Sequence, residues 1–226
     1  MSKPHSPSID TRELILNAAG RIFAEKGFHA TTVRQITRAA GVNLAAVNYH
    51  FHDKHELYVS VLKRAYQAAA TTAEAGQAGP ARQRLRIFIR NFLAYLLDPK
   101  RPKWQGVLVA REMAQPTKAL DRLVDESIQP VKHRLVGIVS ELIGPGATEM
   151  RTNLASASVI GQCLHYIHCR EMISRLFPKA NALPRDVETL ANHIYEFSLA
   201  GLTALKSRTK EQPKQRRLHS KALSRL

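Results

Sequence analysis

Disulfide chemistry is nearly absent from the chain: it holds two cysteines, Cys163 and Cys169, in 226 residues. They lie within a helical pattern, which predicts that both project from one continuous helix and that no bridge joins them; a reducing compartment fits. Long apolar runs are also missing. None approaches the roughly 20 residues that span a bilayer. The polar stretch Met1 to Asp10, with Pro4 and Pro7, lacks the apolar core of a secretory signal. A soluble protein of the cytoplasm is expected. The chain has no glycine-rich phosphate loop, no nucleophile elbow and no paired-histidine metal motif. Glu25, Glu56 and Glu112 stand isolated, without the partner spacing that acid/base work needs. The expectation is therefore no enzyme, no catalytic residue and no cofactor. Acidic residues are scarce: 18 against 34 lysines and arginines, a formal net charge of +16. That imbalance favours a polyanionic partner, nucleic acid or an anionic membrane surface.

Strand-period alternation is almost absent, whereas apolar residues recur three and four apart nearly everywhere, so the fold is read as all-α. No proline interrupts the stretch from Ser8 to Gly79. Three start signals punctuate it: Asp10 with Glu13, Thr32 with Gln35, and Asp53 with Glu56, each an N-cap followed three residues later by an acid or amide able to reach back. They predict helices over about 11–26 (ending at Gly27), 33–40 (ending at Gly41), 44–51, and from Asp53 to about 73. Small residues over 75–80 mark a boundary. Further helices are expected over 81–97, 105–114, 118–143 with a kink at Pro130, 149–176 and 184–207, with Gly144-Pro145-Gly146 as a turn. The resulting division is a disordered arm over 1–10, a helical domain over 11–73, a second helical domain over 80–207, and a basic disordered tail over 208–226.

The segment TVRQITRAAGVNLAAVNYHF, Thr32 to Phe51, has helix-turn-helix spacing: a helix ending at Gly41, a short turn, and a second short helix that would enter the major groove. Gly41 suits a turn position with positive φ. Asn43 would cap the second helix. Ala45 and Ala46 are small enough to approach base edges and touch a thymine methyl, and Asn48 can pair with adenine. Tyr49, His50 and Lys54 can reach the phosphate backbone. An ordinary helical hairpin would share the glycine turn, but not the whole order of segments.

That order, carried by FAEKGFHATTVRQITRAAGV and VNYHFHDKHELY, closely resembles the N-terminal domain of the TetR family of transcriptional regulators. The resemblance implies an N-terminal three-helix DNA-binding domain followed by a helical ligand-binding and dimerisation domain. It maps Thr32, Arg34, Asn43, Leu44, Ala45, Ala46, Asn48, Tyr49, His50 and Lys54 onto DNA-contact positions. Asn43 and Leu44 replace more usual small polar and basic residues, which implies a different base preference. VAREMAQPTKALDRLVDESIQPVKHRL, SVIGQCLHYIHCREMISRLFP and HIYEFSLAGLTAL resemble the C-terminal domain of the family's CecR-like branch. The implied activity is that of a ligand-responsive regulator, most often a repressor. It would bind a near-palindromic operator in double-stranded DNA as a homodimer and be released by a small-molecule effector.

Leu190, Ile194, Phe197, Gly201 and Leu205 form one apolar stripe, and Ala157 and Gly161 belong to a small-residue run on the preceding helix. These are the expected dimer interface, unless both stripes face the chain's own core. For the effector, Trp104, Arg111, Glu112, His165, Tyr166 and Cys169 are the candidate lining. Cys163, His165, His168 and Cys169 cluster on one helix, where a zinc or copper site is conceivable. One helix supplies at most two or three ligands and no partner cluster stands elsewhere, so no metal is expected. The stretch from Lys206 to Leu226 holds eight lysines and arginines against Glu211 alone, a balance of +7. With Pro213 and only scattered apolar residues it makes a poor membrane anchor. It is expected to add non-specific phosphate contacts.

Overall fold

The computed structural model describes residues 10–74, 78–178 and 186–223, with side chains over 10–66, 78–178 and 186–206. The expected N-terminal arm lies outside these residues except for Asp10. Among them the chain is helical throughout. The elements are α1 (Thr11–Ala30), α2 (Val33–Ala40), α3 (Leu44–Phe51), α4 (Lys54–Glu74), α5 (Ala81–Leu96), α6 (Lys103–Ala114), α7 (Ala119–Leu123), a π-helical turn (Val124–Ile128), α8 (Gln129–Ile143), α9 (Glu149–His168), α10 (Arg170–Leu176) and α11 (Val187–Leu223).

The chain forms two units. The first holds the described residues up to Ala68 together with Lys100–Gln129; the second holds Ala69–Pro99 and the residues from Pro130 onward. Residues 100–129, which follow the small-residue boundary over 75–80, pack on the helix-turn-helix. Ile15, Leu16, Phe23, Ile36, Val47, Leu57, Tyr58 and Leu62 share one core with Trp104, Leu108, Ala119 and Leu123. The second core joins Leu85, Ile89 and Leu93 of α5 to Leu135 and Val139 of α8, Val159 and Cys163 of α9, and Leu190, Ile194 and Leu202 of α11.

Local chemistry explains the element ends. Thr32 and Gln35 make a full capping box: Thr32 Oγ1 accepts from Gln35 N–H, and Gln35 Oε1 accepts from Thr32 N–H. The other two boxes are half made. Asp10 caps Arg12 N–H and Asp53 caps Glu56 N–H, but Glu13 pairs with Arg64 and Glu56 with Arg122. Gly27 does break α1, with φ 79° and ψ 172°, though helix resumes to Ala30. The expected single helix over 118–143 opens into a π turn just before Pro130. Proline cannot donate to the carbonyl four residues back and crowds it. The chain widens there, with Gln129 N–H donating to Val124 O. The helix expected over 149–176 breaks at Cys169, whose N–H closes α9 on His165 O. The helix expected to stop near 207 runs on to Leu223, and the disordered tail expected from 208 coincides with that continuation.

Both thiols are free. Cys163 is fully buried and burial pushes its thiol up to about 12, while Cys169 at the α9–α10 junction is half-buried. A thiol held protonated and shielded does not act as a nucleophile. Iodoacetamide should modify Cys169 first and Cys163 only after denaturation, which peptide mass spectrometry would check.

Candidate nucleic-acid interface

The site is built on α2, the turn after it, and α3. Gly41 sits in the left-handed region at φ 67°, with its N–H on Arg38 O and Val42 N–H returning to Thr37 O. A Cβ there would meet nothing within 4 Å, so the backbone angle and not space selects glycine. Asn43 Oδ1 accepts from Ala46 N–H at 2.9 Å and starts α3. Val47 and Phe51 anchor the helix in the core, as do Ile36 and Thr37 on α2.

That anchoring fixes what α3 presents outward. Tyr49 is 82% exposed and Leu44 56% exposed. Ala45 and Asn48 are exposed with them, as are Thr32 and Arg34 on the preceding helix. The two alanines diverge: Ala45 faces out, while Ala46 is half-buried and packs on the core. His50 is half-buried, its ring edge-on to Tyr49 at 5.0 Å. Apolar side chains left in water on the outward face of a short helix are surface the fold itself does not use.

Lys54 is engaged within the first unit. Its Nζ donates to Phe28 O and Thr31 O, both at 2.9 Å, and lies 4.4 Å from the centroid of the Phe28 ring. Two of its three donors and its charge hold the chain that leads from α1 into α2. Lys54→Met should therefore destabilise the first unit by about 2 kcal/mol, from lost charge-assisted hydrogen bonds and the cation–π contact, and so lower its urea midpoint. A residue serving only a phosphate would leave that midpoint unchanged.

Two features carry no signal in the sequence. His52 has φ 64° and ψ −57°, and Asp53 N–H donates to Phe51 O at 2.7 Å across it. This tight three-residue turn is strained for any residue but glycine, and it sets the exit of the reading helix. Arg12 places its guanidinium 5.3 Å from the centroid of the Phe51 ring, beside α3.

The candidate effector residues separate. Trp104, Arg111 and Glu112 all belong to the first unit and are engaged within it. A Cβ on Gly20 would meet the Trp104 ring at 2.6 Å, so the indole fills the groove that this glycine leaves in α1. Arg111 donates to Ala24 O and Glu25 O, the carbonyls exposed where α1 breaks at Gly27. Glu112 is fully buried and accepts from Tyr58 Oη at 2.6 Å and from Thr117 N–H and Oγ1 at 2.8 and 2.9 Å. His165, Tyr166 and Cys169 lie in the second unit around the end of α9, with His165 exposed and the other two half-buried. Three of the six thus belong to the first unit and three to the second. Among the described residues no helix is long and apolar enough to cross a membrane.

The expected dimer stripe also divides. Leu190 and Ile194 are 6% and 0% exposed in the second unit's own core, so they are not interface residues of this chain. The line facing that core is Leu190, Ala191, Ile194, Ser198 and Leu202. Small Ala191 and polar Ser198 hid it from an apolar reading. Phe197 is 67% exposed, Gly201 is exposed and Leu205 half-buried. On α9, Ala157 and Gly161 are exposed on one face with Met150 and Leu154, which are 71% and 63% exposed.

An outward-facing short helix set by a glycine turn, among described residues that are helical throughout, is the arrangement of the helix-turn-helix class of DNA-binding proteins. Residues 15–61 match the model of the bacterial regulatory proteins of the tetR family, and residues 81–202 match that of the C-terminal domain of the HTH-type transcriptional dual regulator CecR. The chain belongs to the TetR family of DNA-binding transcriptional regulators, with a CecR-type C-terminal domain; these are not enzymes. It is 27% identical to the dual regulator CecR of Shigella flexneri over 175 residues, 72% of this chain and 78% of that one. Its fold is similar to that of a transcriptional regulator from Pseudomonas aeruginosa PAO1 (TM-score 0.63, 24% identity, 88% of this chain and 93% of that chain). It is equally similar to that of FadR from Bacillus subtilis, solved in complex with stearoyl-CoA (TM-score 0.63, 21% identity, 84% and 98%).

Proposed function

We propose that this regulator is a repressor of the cytoplasm that binds a near-palindromic operator as a homodimer and leaves it when a small molecule binds the C-terminal domain. Ala45, Asn48 and Leu44 face base edges, with Ala46 closing the approach at the helix start. Tyr49, His50, Thr32 and Arg34 reach phosphates and fix the register, because backbone contacts position and base-edge contacts specify. Asn43 and Lys54 hold the reading helix and its entry in place, with their remaining donors turned to the duplex. The observation that carries the reading is the 82% exposure of Tyr49 on a helix otherwise anchored by Val47 and Phe51.

One eight-residue helix reads too few bases for specificity. A two-fold dimer reads two half-sites, about 34–36 Å apart or a multiple of that. The exposed face of Met150, Leu154, Ala157 and Gly161 on α9, with Phe197 and Gly201 on α11, suits that pairing, because small residues let helices of two copies approach closely. The effector must bind one arrangement of the heads more tightly than the other, since a ligand shifts an equilibrium only by its differential affinity. Helix α4 is continuous from Lys54 to Glu74 and so belongs to both units.

Selection of bound duplexes from a random pool tests the proposal. A recovered near-palindrome, bound more weakly by Tyr49→Ala, is the expected result. Recovery of no preferred sequence, or of one bound equally well by that variant, would overturn it.

A further inference from the structure

The family domain ends its match at residue 202, yet α11 continues to Leu223. Beyond the match the sequence turns strongly basic, with Glu211 the only acid from Lys206 onward. Five of the seven lysines and arginines on this part of the helix form a line, with Arg208 and Arg216 outside it. Lys206, Lys210, Lys214, Arg217 and Lys221 are spaced four, four, three and four along a continuous helix. At 3.6 residues per turn that spacing places all five within an arc of about 80°. At 1.5 Å per residue the line is about 22 Å long.

Such a line is unfavourable in isolation. Like charges three and four apart weaken a helix by a few tenths of a kcal/mol per pair, and one glutamate cannot neutralise them. A polyanion can. Duplex DNA presents one negative charge per about 1.7 Å of axis, so a line of this length meets a continuous ridge of phosphates. An anionic bilayer would require an apolar stripe beside the basic one. Leu218 and Leu223 fall about 140° apart around the helix and share no such stripe.

We propose that the basic edge of α11, from Lys206 to Lys221, is a second and sequence-independent binding surface for duplex DNA, separate from the reading helix. It rests on the operator-binding proposal only in that the reading heads bring duplex near.

The test uses the full chain and a variant carrying Lys210→Gln, Lys214→Gln, Arg217→Gln and Lys221→Gln, with circular dichroism to check that it folds. Binding to a short random-sequence duplex is followed by fluorescence anisotropy over a salt series. Four lost phosphate contacts should make the log–log salt slope shallower by about 3 to 4 and weaken binding about a hundredfold at physiological salt. A second full-length variant, Asn48→Ala with Tyr49→Ala, should lose preference for the selected operator and keep the wild-type salt slope on random duplex, because neither side chain carries a charge that displaces counterions. An unchanged slope in the four-fold variant overturns the proposal. So does unchanged duplex binding with lost retention on phosphatidylserine–phosphatidylcholine vesicles, which would assign the edge to a lipid surface. If the head variant keeps its operator preference while the tail variant shows the shallower slope, the reading-helix assignment fails and the basic-edge proposal stands.

Discussion

Glu112→Ala is expected to destabilise the first unit by about 3 kcal/mol, the largest loss from any single polar side chain there. The carboxyl group is fully buried and takes three hydrogen bonds, from Tyr58 Oη, Thr117 N–H and Thr117 Oγ1. Truncation leaves the buried Tyr58 hydroxyl without an acceptor, at about 1–3 kcal/mol, and opens a cavity between α4 and α6. Removing a buried carboxyl also relieves its own desolvation, which keeps the loss from being larger. Glu112→Gln keeps an acceptor for Thr117 and a polar group opposite Tyr58, so it should cost about 1 kcal/mol. Urea unfolding followed by the fluorescence of Trp104, the single tryptophan, or by hydrogen exchange of α4 amides would rank the two. The same bond has a signature in pH. Burial first, and then the hydrogen bond to Glu112, hold the Tyr58 phenol well above its ordinary value of 10.0. A raised folded-state value means that the folded state keeps the proton longer. Its stabilisation is full below about pH 10 and is lost as the pH climbs beyond that toward the folded value. Tyr58→Phe should therefore flatten the alkaline limb of the stability profile. An alanine variant as stable as the wild type would show that α6 is held to the reading head by its apolar contacts alone.

The reading head was legible because its punctuation is local. A capping box, a left-handed glycine and an asparagine cap lie within a few residues of the bonds they make, so their spacing alone locates α2 and α3. What Trp104, Arg111 and Glu112 do was not legible, because each meets a partner more than fifty residues away. The amphipathic pattern of α6 says that one face is buried, but not in which unit. Gly20 is the one residue that could have pointed to Trp104: a glycine mid-helix has a cost, and here the indole occupies the space of its missing side chain. The structural role of Lys54 was hidden for a similar reason. A lysine at a helix start near a reading helix suggests phosphate, and nothing in the chain's order shows that the carbonyls of Phe28 and Thr31 converge on it. On α11 the error was one of register. Leu190 and Ile194 lie on the edge of a core line completed by Ala191 and Ser198, so a stripe counted by hydrophobicity ran slightly across the real one.

That shift in register leads to an experiment in which two neighbouring substitutions should fail in different ways. Phe197→Asp puts a charge on a side chain that is 67% exposed. The second unit loses no core contact, so helicity and melting temperature should hold. If α9 and α11 pair with a second copy, the aspartate becomes a desolvated charge in an apolar seam, which costs several kcal/mol. The protein should then sediment as a monomer. A monomer presents one reading helix instead of two held at a fixed separation, and the loss of that effective concentration should weaken operator binding by about a hundredfold or more. Ile194→Asp, three residues earlier and 0% exposed, should instead disrupt the core it shares with Leu85, Ile89 and Val139, and lower helicity before any change in association is seen. A Phe197→Asp protein that remains a dimer with full operator affinity would remove this face from the interface. It would leave the exposed apolar line of Met150, Leu154 and Phe197 without the pairing role assigned to it. Monomer formation by Phe197→Asp with loss of fold by Ile194→Asp would place the boundary between core and interface along the length of α11, between residues only one turn apart.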